Sequence, residues 1–422
     1  MTVNGLRTST HRRPAPSGCL GVFRDTIQGV VMRVLMDYRP ALRARTGVGE
    51  WIHQLILSLL RLKSAGDPLA GDLDLTLWTS SWRDRPEPRV VAELAGATLI
   101  DRRLPVRPLT WAWNRLGWPS IESLTVRSFD IVHSTAPLLL PSRSGLRVCT
   151  IYDLDFLNHP ERAWGEMRRD FPRLVRDHAT RADLVATISE HSRRQIQALL
   201  GVASDRIVVC RPGVPEWLSQ AVVRPKGRSG GYILFVGTLE PRKNIQGLLA
   251  AYRILVERDP ATPKLVLAGG VTPAAQPWVA ESRSAPLGGR VEIAGYVPDD
   301  QRTALYADAR LLVLPSFEEG FGLPVLEAMA LGVPVVASDR GALPEVLGGA
   351  GLLVDPSDVG GLARAMEAVL ADASMAARMR GDGLQRASGF DWLESARTLL
   401  GAYDRASERA RSGGRLAGGS RP

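Results

Sequence analysis

The sequence predicts an α/β protein built from two doubly wound parallel-sheet domains, and three observations carry that prediction. Short apolar runs bounded by breakers alternate with helical patterns in both halves, as in βαβ units. At 422 residues the chain is longer than one core usually supports. Residues 219–231, with Pro225-Lys226-Gly227 and Ser229-Gly230-Gly231, are polar and breaker-rich, as a linker between two such units should be.

Residues 1–31 carry Arg12-Arg13 but no apolar stretch, so neither a secretory nor a twin-arginine signal is convincing, and Cys19 lacks a lipobox-like approach. They are expected to be a disordered extension or the result of a mis-set start, with Met32 opening the first strand. The first domain, 32–218, has strands expected at 33–36, 131–133, 148–152, 184–188 and 207–209. Its chain turns at Gly47 and Gly49 into a helix at 50–60, and Ser189 reads as a helix N-cap. The second domain, 232–389, has strands expected at 232–236, 265–268, 291–294, 311–314 and 335–337. Phe390-Asp391-Trp392 starts a final helix, 390–406. The Arg-, Gly- and Ser-rich tail, 407–422, is expected to be disordered.

Composition is that of a globular chain, with 45% hydrophobic and 23% charged residues. No apolar run approaches the ~18–20 residues that cross a bilayer. Cys19, Cys149 and Cys210 are odd in number and widely spaced, which argues against a disulfide framework or a metal cluster and makes a reducing cytoplasm the default. The net charge of +9 and pI of 9.9 raise nucleic acid and anionic membrane as partners. The arginines are spread along the chain rather than gathered with aromatics in one motif, so nucleic acid is disfavoured. Peripheral contact with an anionic leaflet and a merely solvated basic surface both stay open.

Two stretches carry the chemistry. The first is Phe317-Glu318-Glu319-Gly320-Phe321-Gly322-Leu323-Pro324-Val325-Leu326-Glu327. It follows a buried-strand run, and Pro324 suits a first helical residue. Gly320 and Gly322 would let backbone approach a ligand, and the unpaired N–H groups of the next helix favour an anion. Glu319 in the loop and Glu327, read in the first helical turn, can face sugar hydroxyls and a second diol such as a ribose, because carboxylate oxygens accept hydrogen bonds. The plainer alternative leaves Glu327 complementing the helix dipole and Glu319 solvated.

The second stretch, Val236-Gly237-Thr238-Leu239-Glu240-Pro241-Arg242-Lys243-Asn244, leads from a strand into a helix with Asn244 as N-cap. Two cations at a helix N-terminus oppose the macrodipole by roughly 0.3–1 kcal/mol each when exposed. An anion between them, such as a diphosphate, would explain the placement; a solvated Arg-Lys pair is the alternative. Lys243 is one of only four lysines, with Lys63, Lys226 and Lys264, in a chain that otherwise uses arginine.

These stretches, with Gly295-Tyr296-Val297-Pro298, Thr46-Gly47-Val48-Gly49 and Asp153-Leu154-Asp155-Phe156-Leu157-Asn158-His159-Pro160-Glu161, resemble the retaining GT-B-fold glycosyltransferases of family 4, nearest in flavour to the mannosyltransferase-like branch. The resemblance covers nearly the whole chain from Met32. It implies a GT-B architecture in which the second domain holds a nucleotide sugar, the first faces it with the acceptor, and the C-terminal helix crosses back onto the first domain. It implies transfer of a hexosyl unit, first guess mannosyl from GDP-mannose, to a glycan or lipid-linked acceptor with retention. The setting would be the cytoplasm, peripherally at the inner face of the membrane.

By the same resemblance, Arg242 and Lys243 would stabilise charge on the departing diphosphate, Glu319 would orient the sugar and Glu327 the ribose. Gly47 and Gly49 would approach the diphosphate across the cleft. Gly237, Gly320, Phe321, Gly322 and Leu323 would line the donor, and Tyr296 and Val297 would touch its base. No carboxylate pair stands out as nucleophile and acid, and front-face attack assisted by the leaving phosphate names no base. Neither metal nor other cofactor is expected, because no Asp-x-Asp motif sits in a suitable loop after a strand and cations supply the charge. Family members often carry His-Asp where this chain has Tyr152-Asp153, which puts position 152 in doubt. His133 and His159 read as structural or functional, His178 and His191 as surface, and Glu345 as structural. A sugar-nucleotide epimerase, a non-catalytic nucleotide-sugar binder and a nucleic-acid binder are the rival classes.

Overall fold

The computed structural model describes residues 31–42, 47–160, 170–219 and 231–413. The expected extension before residue 31, the linker at 220–230 and the tail from 414 lie outside the described residues. In the first half, β1 (Met32–Asp37), β2 (Leu73–Ser80), β3 (Thr98–Arg102), β4 (Ile131–Ser134), β5 (Leu146–Thr150), β6 (Leu184–Thr187) and β7 (Ile207–Val209) form one sheet in the order β3-β2-β1-β4-β5-β6-β7. In the second, β8 (Tyr232–Val236), β9 (Leu265–Ala268), β10 (Val291–Gly295), β11 (Ala309–Leu314), β12 (Val335–Ser338) and β13 (Leu352–Val354) follow the order β10-β9-β8-β11-β12-β13. The pairings in both sheets are parallel, with β1 held between β2 and β4 at Val34. Each sheet reverses its winding beside its first strand, β1 or β8, and an open α/β sheet binds ligands at the carboxyl ends of the strands there.

The buried runs of β8, β11 and β12 are apolar almost throughout because helices cover both faces. Strands β2, β3 and β13 were not anticipated. β3 and β13, each at one edge of its sheet, are only partly buried, and β13 is just three residues long.

Eight helices matter below: α1 (Gly47–Ser64), α2 (Val106–Leu116), α3 (Glu190–Leu200), α4 (Ile245–Arg258), α5 (Asp299–Ala307), α6 (Leu323–Ala330), α7 (Leu343–Leu347) and α8 (Trp392–Ser412). Gly47 and Gly49 do not form a turn ahead of the first helix; they lie in the first turn of α1 itself. The final helix starts at Trp392, where the Asp391 side chain accepts from the Leu393 N–H at 2.9 Å. It continues to Ser412, so residues 407–412 are helical rather than disordered. Ala406 is buried at that end, and the Glu, Arg and Ala that follow are good helix formers.

Helix α8 crosses from the second domain onto the first. Phe390 meets Phe321 edge-on at 5.8 Å, Arg397 binds Asp67 at 2.9 Å, and the Tyr403 hydroxyl reaches His133 Nδ1 at 2.5 Å. Among the described residues no helix is long and apolar enough to cross a membrane.

Candidate active site

A cavity of about 340 Å³ opens between the two domains, walled by the segments after β8 and β11 on one side and by the start of α1 on the other. The residues singled out from the sequence as donor-binding or catalytic all line it, with the exception of Gly49. Gly49 is buried instead against the segment before it, where an added Cβ would stand 3.5 Å from both Pro40 and Ala41. Gly47 faces the cavity from the first domain, 3.5 Å by the same measure from Leu323.

Arg242 and Lys243 sit in a 3₁₀ turn, Pro241–Lys243, at the carboxyl end of β8. Asn244 then adopts φ of 56° and caps α4, accepting from the Gly247 N–H at 3.2 Å. The turn is joined to the 316–320 loop by a backbone bond from the Phe317 N–H to the Arg242 carbonyl at 2.8 Å. The anion expected between the two cations is supplied by the chain itself. Lys243 Nζ donates to Glu319 Oε1 at 2.5 Å, the Ser316 hydroxyl donates to the same oxygen at 2.7 Å, and Arg242 lies 3.4 Å from Oε2. Arg242 also donates to the Glu318 carbonyl at 2.8 Å and to Glu240 at 3.0 Å.

Glu319 is therefore a buried ion-pair partner, not a solvated loop acid. Burial alone would push its carboxyl up, but Lys243 and Arg242 hold it below the ordinary carboxylate value. Burial opposes the charge on Arg242, and the fields of Glu319, Asp153, Glu240 and Asp155 outweigh it and raise its affinity for the proton. An ammonium carries three donors and a guanidinium five, so both cations can hold Glu319 and still address a diphosphate.

Glu327 is fully buried, one turn deeper in α6 than the sequence reading placed it. From α5, Arg302 donates to Oε1 at 2.6 Å and the Tyr306 hydroxyl to Oε2 at 2.5 Å. Burial and the facing carboxylate push the Tyr306 phenol well above its usual range, so it stays a donor. Arg302 in turn lies over the Trp217 ring at 5.0 Å. None of these three was singled out beforehand; the spacing of Arg302 and Tyr306, four apart on one helix face, was the available signal. Tyr296, at the mouth, is 53% exposed.

The glycines of the 317–323 loop serve the protein's own packing as well as any ligand. A Cβ on Gly320 would stand 2.5 Å from the Tyr152 carbonyl of the first domain, and Gly322, at φ of 98°, caps α6. The Tyr152 hydroxyl is committed to the Thr135 carbonyl at 3.0 Å, so its tyrosine is an anchor within the first domain. An Asp-x-Asp pattern does follow a strand here, contrary to expectation. Asp153 and Asp155 come after β5, with Asp153 lining the cavity, and both bear on Arg242.

Further contacts close the back of the cleft. Glu345 of α7 accepts from the first backbone N–H groups of α3, at 2.9 Å for Glu190 and 3.2 Å for His191. His191 Nε2 stands 2.6 Å from Glu318, so it belongs to the domain interface rather than to the surface. His178 is also not a surface residue: it accepts from the Leu139 N–H at 2.8 Å, and burial lowers it to about 4. His133 is structural, fully buried between Tyr403 and Thr150 and lowered by burial to about 3.

Residues 230–372 match the family described as "Glycosyl transferases group 1", and residues 69–216 match "Glycosyltransferase Family 4". The O-antigen chain mannosyltransferase B of Escherichia coli is 34% identical over 308 residues, which cover 70% of this chain and 80% of that protein. The chain belongs to glycosyltransferase family 4. This family 4 glycosyltransferase is also 30% identical over 271 residues to the serotype-specific mannosyltransferase WbdA of Escherichia coli; the match takes in 61% of the chain and 33% of WbdA. Two solved structures share the GT-B fold. Sucrose-phosphate synthase from Thermosynechococcus elongatus has a TM-score of 0.66 at 21% identity, covering 90% of this chain and 100% of that one. WaaG, a glycosyltransferase involved in lipopolysaccharide biosynthesis, has a TM-score of 0.63 at 16% identity, covering 89% and 99%.

Proposed function

We propose that this glycosyltransferase moves a mannosyl unit from GDP-mannose to a glycan or lipid-linked acceptor and retains the anomeric configuration. The observation that carries the donor site is the cluster of Arg242, Lys243 and Glu319 in one wall of the interdomain cavity, with Glu327 in the same wall. The N–H groups that Arg242 and Lys243 do not spend on Glu319 take the charge building on the departing diphosphate, which stabilises an oxocarbenium-like transition state. Glu319, fixed by Lys243 and Ser316, offers its remaining lone pairs to sugar hydroxyls. Glu327, held by Arg302 and Tyr306, does the same for the ribose.

Retaining glycosidases place a nucleophilic carboxylate ~5–5.5 Å from the acid. Of the carboxylates lining the cavity, Glu319 and Glu327 are held by cations and a phenol and Glu240 by Arg242, so we take front-face attack assisted by the leaving phosphate as the route. The mannosyl assignment is supported by the names of the two Escherichia coli relatives. A cytoplasmic setting fits the buried, free thiols of Cys149 and Cys210.

The test is thermal stabilisation by a panel of nucleoside diphosphates and sugar nucleotides, beside Lys243→Ala and Glu327→Ala. A ligand at a hundred times its dissociation constant adds about 2.7 kcal/mol. A shift specific to guanosine nucleotides and lost in both variants supports the reading, and NMR of the product anomer decides retention. A folded protein that no nucleotide stabilises overturns it.

A further inference from the structure

Helix α2 and its flanks carry large apolar side chains on the outside. Its inner face is ordinary, with Leu109 and Trp113 buried and Arg39 stacked over the Trp113 ring at 4.7 Å. Its outer face is not. Trp111 is 60% exposed, Leu116 61% and, just beyond the helix, Trp118 63%. Trp82, 70% exposed, follows β2, and its loop is tied to the end of β3 by Arg85 and Asp101 at 2.5 Å. An exposed tryptophan is tolerable singly; four large apolar groups carried on adjoining segments mark a contact surface.

The charge along the segment that carries three of them has one sign, while the Trp82 loop is mixed, with Arg83 and Arg85 beside Asp84 and Glu87. Residues 102–118 contain Arg102, Arg103, Arg107 and Arg115 and no acidic residue, and Arg107, Trp111 and Arg115, each four apart, share a helix face. Arg115 is paired at the rim with Asp170 at 3.4 Å; Arg102, Arg103 and Arg107 are exposed. Position in the fold adds the third observation. β2 and β3 form one edge of the first sheet, and the patch sits at their carboxyl ends, the same end of the sheet from which Gly47 faces the cavity.

We infer that this Trp–Arg face of the first domain docks on an anionic lipid surface, so that a lipid-linked acceptor meets the cleft at its β2–β3 edge. Indole rings settle at the membrane–water interface, guanidinium groups pair with anionic headgroups, and Leu116 adds aliphatic area that a nucleic acid has no use for. The inference rests on the transferase reading for its acceptor, but the docking itself is independent of turnover.

The experiment is co-sedimentation of the full chain with phosphatidylcholine vesicles, with and without phosphatidylglycerol, at low and high salt. Wild type pellets with the anionic vesicles at low salt only. Each arginine near such a surface contributes about 1 kcal/mol, roughly fivefold, so Arg103→Ala/Arg107→Ala binds about 25-fold more weakly. Trp111→Ser/Trp118→Ser loses binding at unchanged net charge, which a purely electrostatic attraction would not do. Arg258→Ala/Arg378→Ala, elsewhere on the surface, binds like wild type. All three double variants keep the wild-type melting temperature and nucleotide stabilisation, which separates failure of docking from failure of the transferase reading. Equal binding to neutral vesicles, no binding by wild type, or wild-type binding by both patch variants overturns the inference. So does patch-dependent binding of a single-stranded oligonucleotide without vesicle binding.

Discussion

Lys243→Ala removes the ammonium 2.5 Å from Glu319 Oε1 and leaves behind a carboxylate that is 5% exposed. Breaking a buried pair from one side costs 3–5 kcal/mol; Ser316 at 2.7 Å and Arg242 at 3.4 Å still serve Glu319, so the expected loss is at the low end, about 3 kcal/mol. In a domain of this size each kcal/mol moves the midpoint by about 2–4 °C, so the melting temperature falls by roughly 6–12 °C. Lys243→Ala/Glu319→Ala leaves no orphaned charge and recovers about half of that loss. The pH dependence has a definite sign. Native Glu319 has a depressed pKa, so its stabilisation is present above the unfolded value and is lost as pH falls through the folded value. Without Lys243 the burial influence, which acts upward, gains the upper hand. The deficit of the single variant relative to wild type therefore shrinks as pH is lowered from about 7 to about 4. Thermal melts of Lys243→Ala, Glu319→Ala and the double variant beside wild type across that range read this directly. A single variant within about 2 °C of wild type, or a double variant as unstable as the sum of its parts, refutes the coupling.

Other consequences can be checked alongside. Tyr403→Phe strips His133 of a partner at 2.5 Å in a fully buried site and should cost about 1–3 kcal/mol, read as a lowered melting temperature. Native His133 and His178 titrate at about 3 and about 4, far below the unfolded 6.5. The unfolded chain thus takes up protons first, and stability falls by up to about 1.4 kcal/mol per pH unit per histidine below that value; His133→Gln removes one share of the slope. Gly320→Ala forces a methyl to 2.5 Å from the Tyr152 carbonyl and should widen the cleft, seen as a larger radius of gyration in solution scattering and as lost transfer. Tyr306→Phe leaves Glu327 with one fewer donor and should weaken nucleotide stabilisation by about tenfold in affinity while the fold persists.

The two parallel sheets were legible because central strands such as β8 and β11 are buried on both faces and leave uninterrupted apolar runs. The candidate site was legible where chemistry is local: glycine, proline and charge at a strand–helix crossing mark Arg242, Lys243, Glu319 and Glu327 without any tertiary knowledge. What a residue contacts across the fold was not. That Glu319 is the anion between Arg242 and Lys243, or that Arg302 and Tyr306 hold Glu327, depends on how β8, α5 and α6 are brought together. His178 and His191 read as surface because nothing adjacent in sequence announces Leu139 or Glu318 as their partners. The arginines looked scattered because a count along the whole chain hides the group at 102–115, from the end of β3 through α2.

Glu345 belongs to the second domain, yet it completes a helix of the first. The amides of Glu190 and His191 have no carbonyl partner within α3, and Glu345 occupies both while Ser189 takes that of Ser192 at 3.0 Å. Any swing that parts the domains at this point must withdraw Glu345 and hand the two amides to water. Their hydrogen exchange therefore reports the open fraction of the enzyme from a position outside the cavity lining.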